Sequence, residues 1–313
     1  MVKIDFTYRN DVLPIIQRIE GKKKKLDQAR PLPQSALHKI REALSVEWTY
    51  NSNAIEGNTL SLRETQMILE DGVTISGKSL REHFEAKNHD TALKHLNTLV
   101  TEVKPLNSSE ILSLHGYVMR SIDDESAGRI RHAGVRISGA NFLPPNAQKV
   151  PDLLDALIQY VNDNPDGLSA IEMATVFHHR FVYIHPFFDG NGRTVRLAMN
   201  LMLMRQGFPP AIILKNDRKK YYDALNQANK GSYEKLMLLM CQALERTLNI
   251  FLSAIPGAED FMSISDLVEE ANLPYGQEYI SLLARQGKID AHKEGRVWFT
   301  SKEAVERYMR KGK

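Results

Sequence analysis

One twelve-residue stretch constrains what this chain can fold into more than any other part of it. It reads His185-Pro186-Phe187-Phe188-Asp189-Gly190-Asn191-Gly192-Arg193-Thr194-Val195-Arg196, and helix-forming residues without Gly or Pro follow it to residue 204. We therefore expect the Gly-Asn-Gly turn to open a helix. The N–H groups at such a helix start lack partners and bind anions, and two arginines at i,i+3 reach from the same face. The stretch predicts a binding site for a polyphosphate.

Two further side chains of this stretch carry chemistry. Asp189 offers the oxygen ligands that Mg²⁺ prefers. His185, with a reference pKa of about 6.5, can accept a proton from a hydroxyl near neutral pH. A purely structural turn is one alternative, and a zinc site that adds His178 and His179 is another, although neither spacing fits a zinc-binding helix. The combination of these groups within one stretch favours a base beside a phosphate site.

The stretch resembles the Fic family motif His-x-Phe-x-(Asp/Glu)-Gly-Asn-Gly-Arg-x-x-Arg at all eight specified positions. The resemblance implies a mainly α fold, a Fic helical core with a small β-hairpin flap, and an enzyme that transfers AMP from ATP, with Mg²⁺, to a Ser, Thr or Tyr hydroxyl of a target protein. It makes His185 the base, Phe187 the core anchor of the loop and Asp189 the magnesium ligand. The residues that would bind the ATP phosphates are Gly190, Asn191, Gly192, Arg193, Thr194 and Arg196.

A second informative stretch lies around Glu56. A helix over residues 37–55 is predicted to end at Gly57, and Ser61 with Glu64 has the spacing of a capping box for the next helix. Glu56 would then lie at the negative end of the helix dipole, which is slightly unfavourable. This local misfit indicates that Glu56 has a cationic partner elsewhere in the chain.

The same stretch resembles the Fic inhibitory motif (Ser/Thr)-x-x-x-Glu-(Gly/Asn), with Ser52, Glu56 and Gly57 at its specified positions. The resemblance implies that Glu56 pairs with Arg196 and blocks the place of the ATP γ-phosphate. An ordinary surface position for Glu56 is the alternative. A carboxylate near the phosphates could also orient a water molecule, so removal of AMP from a target remains an open second activity.

The residues between 128 and 145 differ from the helical segments around them. Val135 and Ile137 alternate with polar residues before a Gly-Ala-Asn turn, which predicts a short hairpin. The resemblance makes this hairpin a flap that pairs with the backbone of the target, and a structural hairpin that closes the core is the alternative. The flap residues are Ser138, Gly139, Ala140, Asn141 and Phe142.

A nucleobase pocket is predicted on the helix that begins at Arg218. Tyr222, Leu225 and Asn229 recur at i, i+3 and i+7 and share one face of it. The resemblance implies that Tyr222 and Asn229 bind adenine, since an aromatic ring can stack on the base and an amide can pair with its edge. Core packing is a strong alternative for Leu225.

Residues 261–313, after the linker around Gly257, read as two short helices, a β wing and a last helix capped by Ser301. This order resembles a winged helix-turn-helix of the excisionase type, which implies DNA as a partner. Residues 263–284 carry four acidic and no basic side chains, whereas the rest of the segment is basic. DNA binding and a protein-contact or dimer-supporting role both remain open.

Composition sets the wider limits. The 313 residues predict three units, over residues 1–100, 101–255 and 261–313. A net charge of +3 does not by itself argue for nucleic acid, and the single Cys241 excludes an internal disulfide. With no apolar leader or membrane span in view, we expect a cytoplasmic protein, with a homodimer suggested by the resemblance. A DNA-binding regulator with a nucleotide-sensing core is the alternative from another functional class.

The N-terminal segment carries fewer signals. Residues 1–45 are predicted to form helices with breaks at Gly21 and at Pro31 and Pro33. The four lysines of residues 22–25 are interpreted as a solvated helix face, with contact to nucleic acid or an acidic partner as the alternative.

Overall fold

The computed structural model describes residues 9–102, 104–137, 142–271 and 273–311. These residues are mostly helical, as predicted, with one small antiparallel sheet. The helices are α1 (Arg9–Gln28), α2 (Gln34–Ile55), α3 (Leu62–Glu70), α4 (Leu80–Val100), α5 (Ser108–Met119), α6 (Val150–Asp163), α7 (Ala170–Ile184), α8 (Asn191–Arg205), α9 (Arg218–Ala228), α10 (Glu234–Leu252), α11 (Ile264–Glu270), α12 (Gln277–Arg285) and α13 (Lys302–Lys311). The strands are β1 (Met262–Ser263), β2 (Ala291–Glu294) and β3 (Val297–Thr300). Among the described residues, no helix combines the length and the apolar character needed to cross a bilayer.

Helix α8 lies at the centre of the fold, with α2, α4, α5 and α7 packed around it. Eleven of its fifteen residues are buried, and they include both arginines of the sequence motif. A helix enclosed on all sides cannot shift without disturbing close-packed neighbours. The first turn of α8, which carries Arg193 and Arg196, is therefore a rigid platform for the site.

Several helices of the fold begin with reciprocal caps. The predicted capping box of α3 is confirmed, because Glu64 N donates to Ser61 Oγ at 3.2 Å and Ser61 N donates to Glu64 Oε2 at 2.7 Å. Helix α7 has the same arrangement between Ser169 and Glu172. Each such cap stabilises its helix by about 1 kcal/mol and fixes where the helix starts.

The predicted break at Gly21 is wrong, because α1 continues through it to Gln28. A glycine in a helix interior costs about 1 kcal/mol relative to alanine. Against this, α1 packs along α10 and buries several apolar side chains, each worth roughly 1.5–3 kcal/mol. These side chains are Val12, Ile15, Ile16, Ile19 and Leu26. The predicted break at Pro31 and Pro33 does separate α1 from α2.

The described residues do not form the predicted hairpin. Residues 134–137 and 142–146 contain no strand, and the turn residues Ser138, Gly139, Ala140 and Asn141 lie outside the described residues. Phe142 stacks on Tyr183 with ring centroids 4.8 Å apart. A strand needs a ladder of hydrogen bonds to a neighbour, and the alternation of two apolar residues does not supply one.

The C-terminal residues form a small sheet with strand order β1-β3-β2. The predicted helices and the strands β2 and β3 are present, and Ser301 Oγ accepts from Ala304 N at 3.1 Å, as expected of a cap of α13. Strand β1 was not predicted, since two residues are too short to show alternation. Helices α11 to α13 enclose a separate apolar cluster around Ile280 and Val305.

Buried charges join this C-terminal part to α1 and α10. Lys22 is 7% exposed, so its interpretation as a solvated lysine is wrong. Its Nζ contacts the Asp290 carboxylate and lies 2.5 Å from Asn249 Oδ1 and 3.2 Å from Glu245 Oε1. Arg18 pairs with the same Glu245 at 2.6 Å. A lysine is buried only when such partners compensate for its lost hydration. The four lysines look alike in the sequence, so the sequence does not show which of them is buried.

Replacement of Asp290 by alanine is expected to destabilise the protein by about 3–5 kcal/mol, because it leaves the Lys22 ammonium buried without its principal partner. Chemical denaturation of the variant measures this loss. Asp260→Ala, at an exposed position on the same side of the linker, is the matched control and should change stability by less than about 0.5 kcal/mol. A double change of Lys22→Met and Asp290→Leu should recover most of the loss. If Asp290→Ala and Asp260→Ala were equally stable, the assignment of Asp290 as the principal partner of the buried Lys22 would be wrong.

Candidate active site

His185 is placed by the end of α7. It adopts a left-handed conformation with φ 51° and ψ 64°, and its N–H donates to the carbonyl of Phe181 at 2.9 Å. Arg131, only 2% exposed, holds the turn from the other side: its Nε donates to the His185 carbonyl at 2.7 Å and its NH2 to the Pro145 carbonyl at 2.6 Å. Burial lowers the pKa of His185 to about 4. The imidazole is therefore neutral at pH 7, which is the form that can accept a proton.

The loop after His185 is fastened by two side chains. Asn191 spans it, since its Oδ1 accepts from Phe187 N at 2.9 Å and its Nδ2 donates to Phe187 O at 2.8 Å. Phe187 is fully buried, and its ring stacks on His115 at 3.6 Å. The resemblance implied the buried role of Phe187. The side chain of Asn191, however, closes the loop instead of facing a phosphate.

His115 on α5 is a site residue that lies outside the sequence motifs. Gly128 N donates to its Nδ1 at 3.0 Å, so Nε2 carries the proton and donates to the Asp189 carbonyl at 3.1 Å. Burial lowers the pKa of His115 to about 4, which agrees with this neutral form. His115 thus fixes the backbone of the loop that presents Asp189.

The start of α8 is open to close approach. Gly190 adopts φ 73°, a left-handed conformation that favours glycine. Gly192 has no side chain where the Glu56 carboxylate lies, and a Cβ there would come within 2.8 Å of Glu56 Cδ. The Glu56 carboxylate thus lies directly against the first turn of α8, where a helix favours a negative charge.

Arg196 joins this carboxylate to α2. Its NH1 lies 2.8 Å from Glu56 Oε1, while its Nε donates to Ser52 Oγ at 3.0 Å and its NH2 to the Ser52 carbonyl at 2.7 Å. The Arg196 side chain is 3% exposed and that of Glu56 is 32% exposed. Gly57 follows with φ 107° and lets the chain leave the helix at this point. The structure thus brings Ser52, Glu56 and Arg196 together, which is the arrangement that the inhibitory motif implied.

Arg193 and Asp189 form the second charged part of the site. The Arg193 guanidinium is buried, with NH1 3.3 Å from Glu85 Oε1 and NH2 3.6 Å from Asp189 Oδ1. Asp189 is 46% exposed and also contacts Arg81. Although partial burial opposes it, Arg193, the Gly190 N–H and Arg81 together lower the pKa of the Asp189 carboxyl. Asp189 is therefore an ionised, accessible carboxylate beside the first turn of α8.

These residues fit a Mg²⁺ ion that arrives with a nucleotide. Mg²⁺ keeps several waters and often takes one or two protein carboxylates together with substrate phosphates. Asp189 supplies such a carboxylate at the edge of the α8 platform. Within the described residues there is no group of three or more His, Cys, Asp or Glu side chains placed to hold a metal ion. His178 and His179, considered above as zinc ligands, instead hydrogen-bond to the Tyr221 and Tyr233 hydroxyls at 2.7 and 2.6 Å.

The residues predicted to bind adenine make contacts with different parts of the fold. Leu225 is buried in the main core, which agrees with the alternative that it serves core packing. Asn229 Oδ1 accepts a hydrogen bond from His179 Nε2 at 2.9 Å. The Tyr222 hydroxyl lies 3.4 Å from the Ile55 carbonyl at the end of α2. Arg218 donates to that carbonyl at 2.7 Å, so α9 contacts the helix that carries Glu56.

Five histidines whose pKa values are lowered by burial make the stability of this protein sensitive to acid. Burial lowers the pKa of His89 to about 3 and that of His115, His179 and His185 to about 4, and it lowers the pKa of His178 well below its usual value. Between about pH 6.5 and pH 4 the unfolded chain binds protons that the folded chain does not, so stability falls as pH falls. Each histidine contributes up to about 1.4 kcal/mol per pH unit in that window.

We therefore expect the melting temperature to be nearly constant from pH 8 to pH 7 and to fall steeply from pH 6 to pH 5. Thermal denaturation followed by circular dichroism in matched buffers measures this. Loss from paired carboxylates occurs at lower pH, because their unfolded pKa values are near 4. An unchanged melting temperature at pH 7 and pH 5 would contradict the neutral buried histidines.

Comparison with known proteins agrees with this geometry. The Fic/DOC family model matches residues 105–203, which include the whole stretch from His185 to Arg196. The solved structure of a Fic-1 fragment from C. elegans superposes with a TM-score of 0.69 at 33% identity, covering 77% of this chain and 71% of that one. This chain belongs to the Fic/DOC family. A Fic domain protein from Bacteroides thetaiotaomicron also superposes, with a TM-score of 0.69 at 27% identity, over 77% of this chain and 97% of that one.

Curated relatives of this Fic/DOC chain carry an activity in their names. A protein adenylyltransferase Fic from Nematostella vectensis is 38% identical over 244 residues, which is 77% of this chain and 56% of the relative. One from Aedes aegypti is 33% identical over 296 residues, or 92% of this chain and 58% of the relative. The chain therefore spans little more than half the length of these relatives.

Sequence reasoning missed several residues of the site in this Fic/DOC chain. Arg131, Arg218, Arg81 and Glu85 lie outside its motifs, between 54 and 163 positions from the site residues that they contact. Their sequence surroundings resemble ordinary charged segments. Arg131 and Glu85 differ from ordinary charged residues only in being buried. Burial of a charged residue is decided by tertiary packing, which the sequence does not show.

Proposed function

We propose that this chain is a self-inhibited protein adenylyltransferase that moves AMP from ATP, with Mg²⁺, to a Ser, Thr or Tyr hydroxyl of a target protein. The observation that carries the proposal is the Glu56 carboxylate held by Arg196 against Gly192 at the start of α8. An anion bound at this helix start marks the place that is built for phosphate. The names of the curated relatives support the same activity.

In the proposed reaction His185 accepts the proton of the target hydroxyl. The hydroxyl oxygen attacks the α-phosphorus, a new O–P bond forms, the bond to the β-phosphate oxygen breaks, and pyrophosphate leaves. Arg193, Arg196 and the N–H groups at the start of α8 stabilise the charge on the phosphates and hold the nucleotide in line. Mg²⁺, when bound through Asp189, would neutralise part of the phosphate charge.

Self-inhibition follows from the same contacts. While Glu56 holds Arg196, the γ-phosphate loses a cation and meets a like charge, so ATP binds with its α-phosphorus misaligned for attack. Ser52 on the preceding turn of α2 adds two hydrogen bonds to Arg196 and steadies the closed arrangement. Release of Glu56 is therefore the switch of the proposed enzyme.

Removal of AMP is the second activity that the geometry favours. Glu56 keeps 32% of its side chain exposed, so water can reach its carboxylate beside the phosphate platform. A carboxylate there can orient and deprotonate a water that attacks a phosphorus already joined to a target. This activity would need the carboxylate that inhibits the forward reaction.

Both the protein-contact role and DNA binding remain proposals for residues 261–313. Lys293 pairs with Asp217 at 2.7 Å and Arg307 pairs with Glu259 at 2.6 Å, so both cations are engaged within the chain. The exposed side chains of α12 include Tyr279 and Leu282, which cannot neutralise phosphate, and Arg285, which can. DNA binding depends on several free cations on one face. A homodimer stays a prediction.

Incorporation of label from ATP tests the proposal directly. With Mg²⁺ and the Glu56→Gly variant, α-labelled ATP should label protein, the chain itself serving as acceptor when the target is unknown, while γ-labelled ATP should not. Labelling of protein from γ-labelled ATP would indicate phosphate transfer and would contradict the proposal. Removal of AMP is tested by incubating the wild type with labelled, modified protein and measuring released AMP.

A further inference from the structure

Arg81 is a charged residue that the proposed reaction does not use. It lies in the first turn of α4, and its NH2 contacts the Asp189 carboxylate 108 positions further along the chain. Its Nε also donates to Glu85 Oε1 at 3.3 Å. The Arg81 side chain is 54% exposed, so no packing forces it into this position. Its place is set by the two carboxylates that it joins.

The two oxygens of Asp189 have different partners. Oδ1 accepts from the Gly190 N–H at 2.5 Å and lies 3.6 Å from Arg193 NH2, so it faces the protein. Oδ2 is the oxygen that Arg81 contacts. A divalent cation needs an oxygen lone pair and is repelled by a guanidinium. A metal at Asp189 and the observed position of Arg81 therefore exclude each other.

We propose that Arg81 takes the place of the divalent cation in the resting site and must leave Asp189 before a metal–nucleotide complex can bind. The inference rests on the proposed function. It makes Arg81 the counterpart of Glu56, because one supplies a cation to Asp189 and the other an anion to Arg196. The resting site thus holds partners within its own chain for both charges of the metal–nucleotide substrate.

Arg81 can leave at little cost. An ion pair between half-exposed side chains is weak and is screened by salt. Glu85, one helical turn along α4, remains as a partner for the released guanidinium. We therefore expect Arg81 to tune metal affinity by about two- to fivefold, the range of an exposed ion pair.

Binding of Mn²⁺, followed by electron paramagnetic resonance, tests the inference without any turnover. The protein carries Glu56→Gly, and saturating α,β-methylene-ATP supplies the phosphates while resisting cleavage at the reactive bond. Adding Arg81→Ala should lower the Mn²⁺ dissociation constant about two- to fivefold. Adding Arg63→Ala instead, which removes an exposed arginine near the start of α3, should leave it unchanged.

Three other outcomes are informative. Equal Mn²⁺ affinity in the Arg81 and Arg63 variants would overturn the role of Arg81. Weaker nucleotide binding without metal in the Arg81 variant would also overturn it, since Arg81 would then be a phosphate ligand. If the folded protein binds neither Mn²⁺ nor nucleotide in any variant, the proposed function is wrong. The role of Arg81 is then wrong as well, because no metal–nucleotide complex exists for Arg81 to exclude.

Discussion

Glu56→Gly is expected to raise AMP incorporation from ATP by roughly ten- to 150-fold, because a close contact between a carboxylate and a buried arginine contributes about 1.5–3 kcal/mol. The change frees Arg196, whose NH1 lies 2.8 Å from Glu56 Oε1, and removes a negative charge from the start of α8. Both effects favour binding of the γ-phosphate and align the α-phosphorus for attack. The measurement is the initial rate of labelling from α-labelled ATP with Mg²⁺.

Two variants separate the causes. Glu56→Gln keeps the size of the side chain but removes its charge, so it should activate less than glycine if space as well as charge matters. Glu70→Gly makes the same replacement at the exposed end of α3 and should leave labelling unchanged. Equal labelling by wild type and Glu56→Gly, with ATP bound by both, would show that Glu56 does not inhibit.

His185→Ala, placed in the Glu56→Gly protein, is expected to lower AMP incorporation by about 10²- to 10⁴-fold, the usual contribution of a general base. Burial lowers the pKa of His185 to about 4, so the wild-type imidazole is already unprotonated at pH 7. Nucleotide binding should persist, because the phosphate platform belongs to α8 and to Arg193 and Arg196. Single-turnover labelling and ATP binding by calorimetry measure the two quantities separately.

The control for this variant is His38→Ala, an exposed histidine of α2 that pairs with Glu42 at 3.2 Å. It should label as fast as the Glu56→Gly parent. If His185→Ala also labels at the parent rate, another group takes the proton and the assigned base is wrong. If it loses nucleotide binding as well, its role is to shape the loop rather than to accept a proton.

Local signals were sufficient for much of the fold. The capping box of α3, the end of α2 near Gly57 and the start of α8 at the Gly-Asn-Gly turn all depend on neighbours within four residues. Such interactions can be read from spacing because they operate within one turn of helix. The continuation of α1 through Gly21 could not be predicted from spacing, because α1 is stabilised by packing on α10, whose residues lie more than 200 positions away.

The candidate site divides in the same way. The sequence by itself determined which groups are present in it: a base, a carboxylate, a helix start and two arginines, with a glutamate expected to need a cation. Only the tertiary structure decided which of them touch. It placed Glu56 on Arg196, turned the Asn191 side chain onto its own loop, buried Lys22 against Asp290 and brought Arg81 to Asp189. The reason is physical, since the strength of a charge or hydrogen bond depends on distance and burial, and both are set by the packing of helices far apart in the chain.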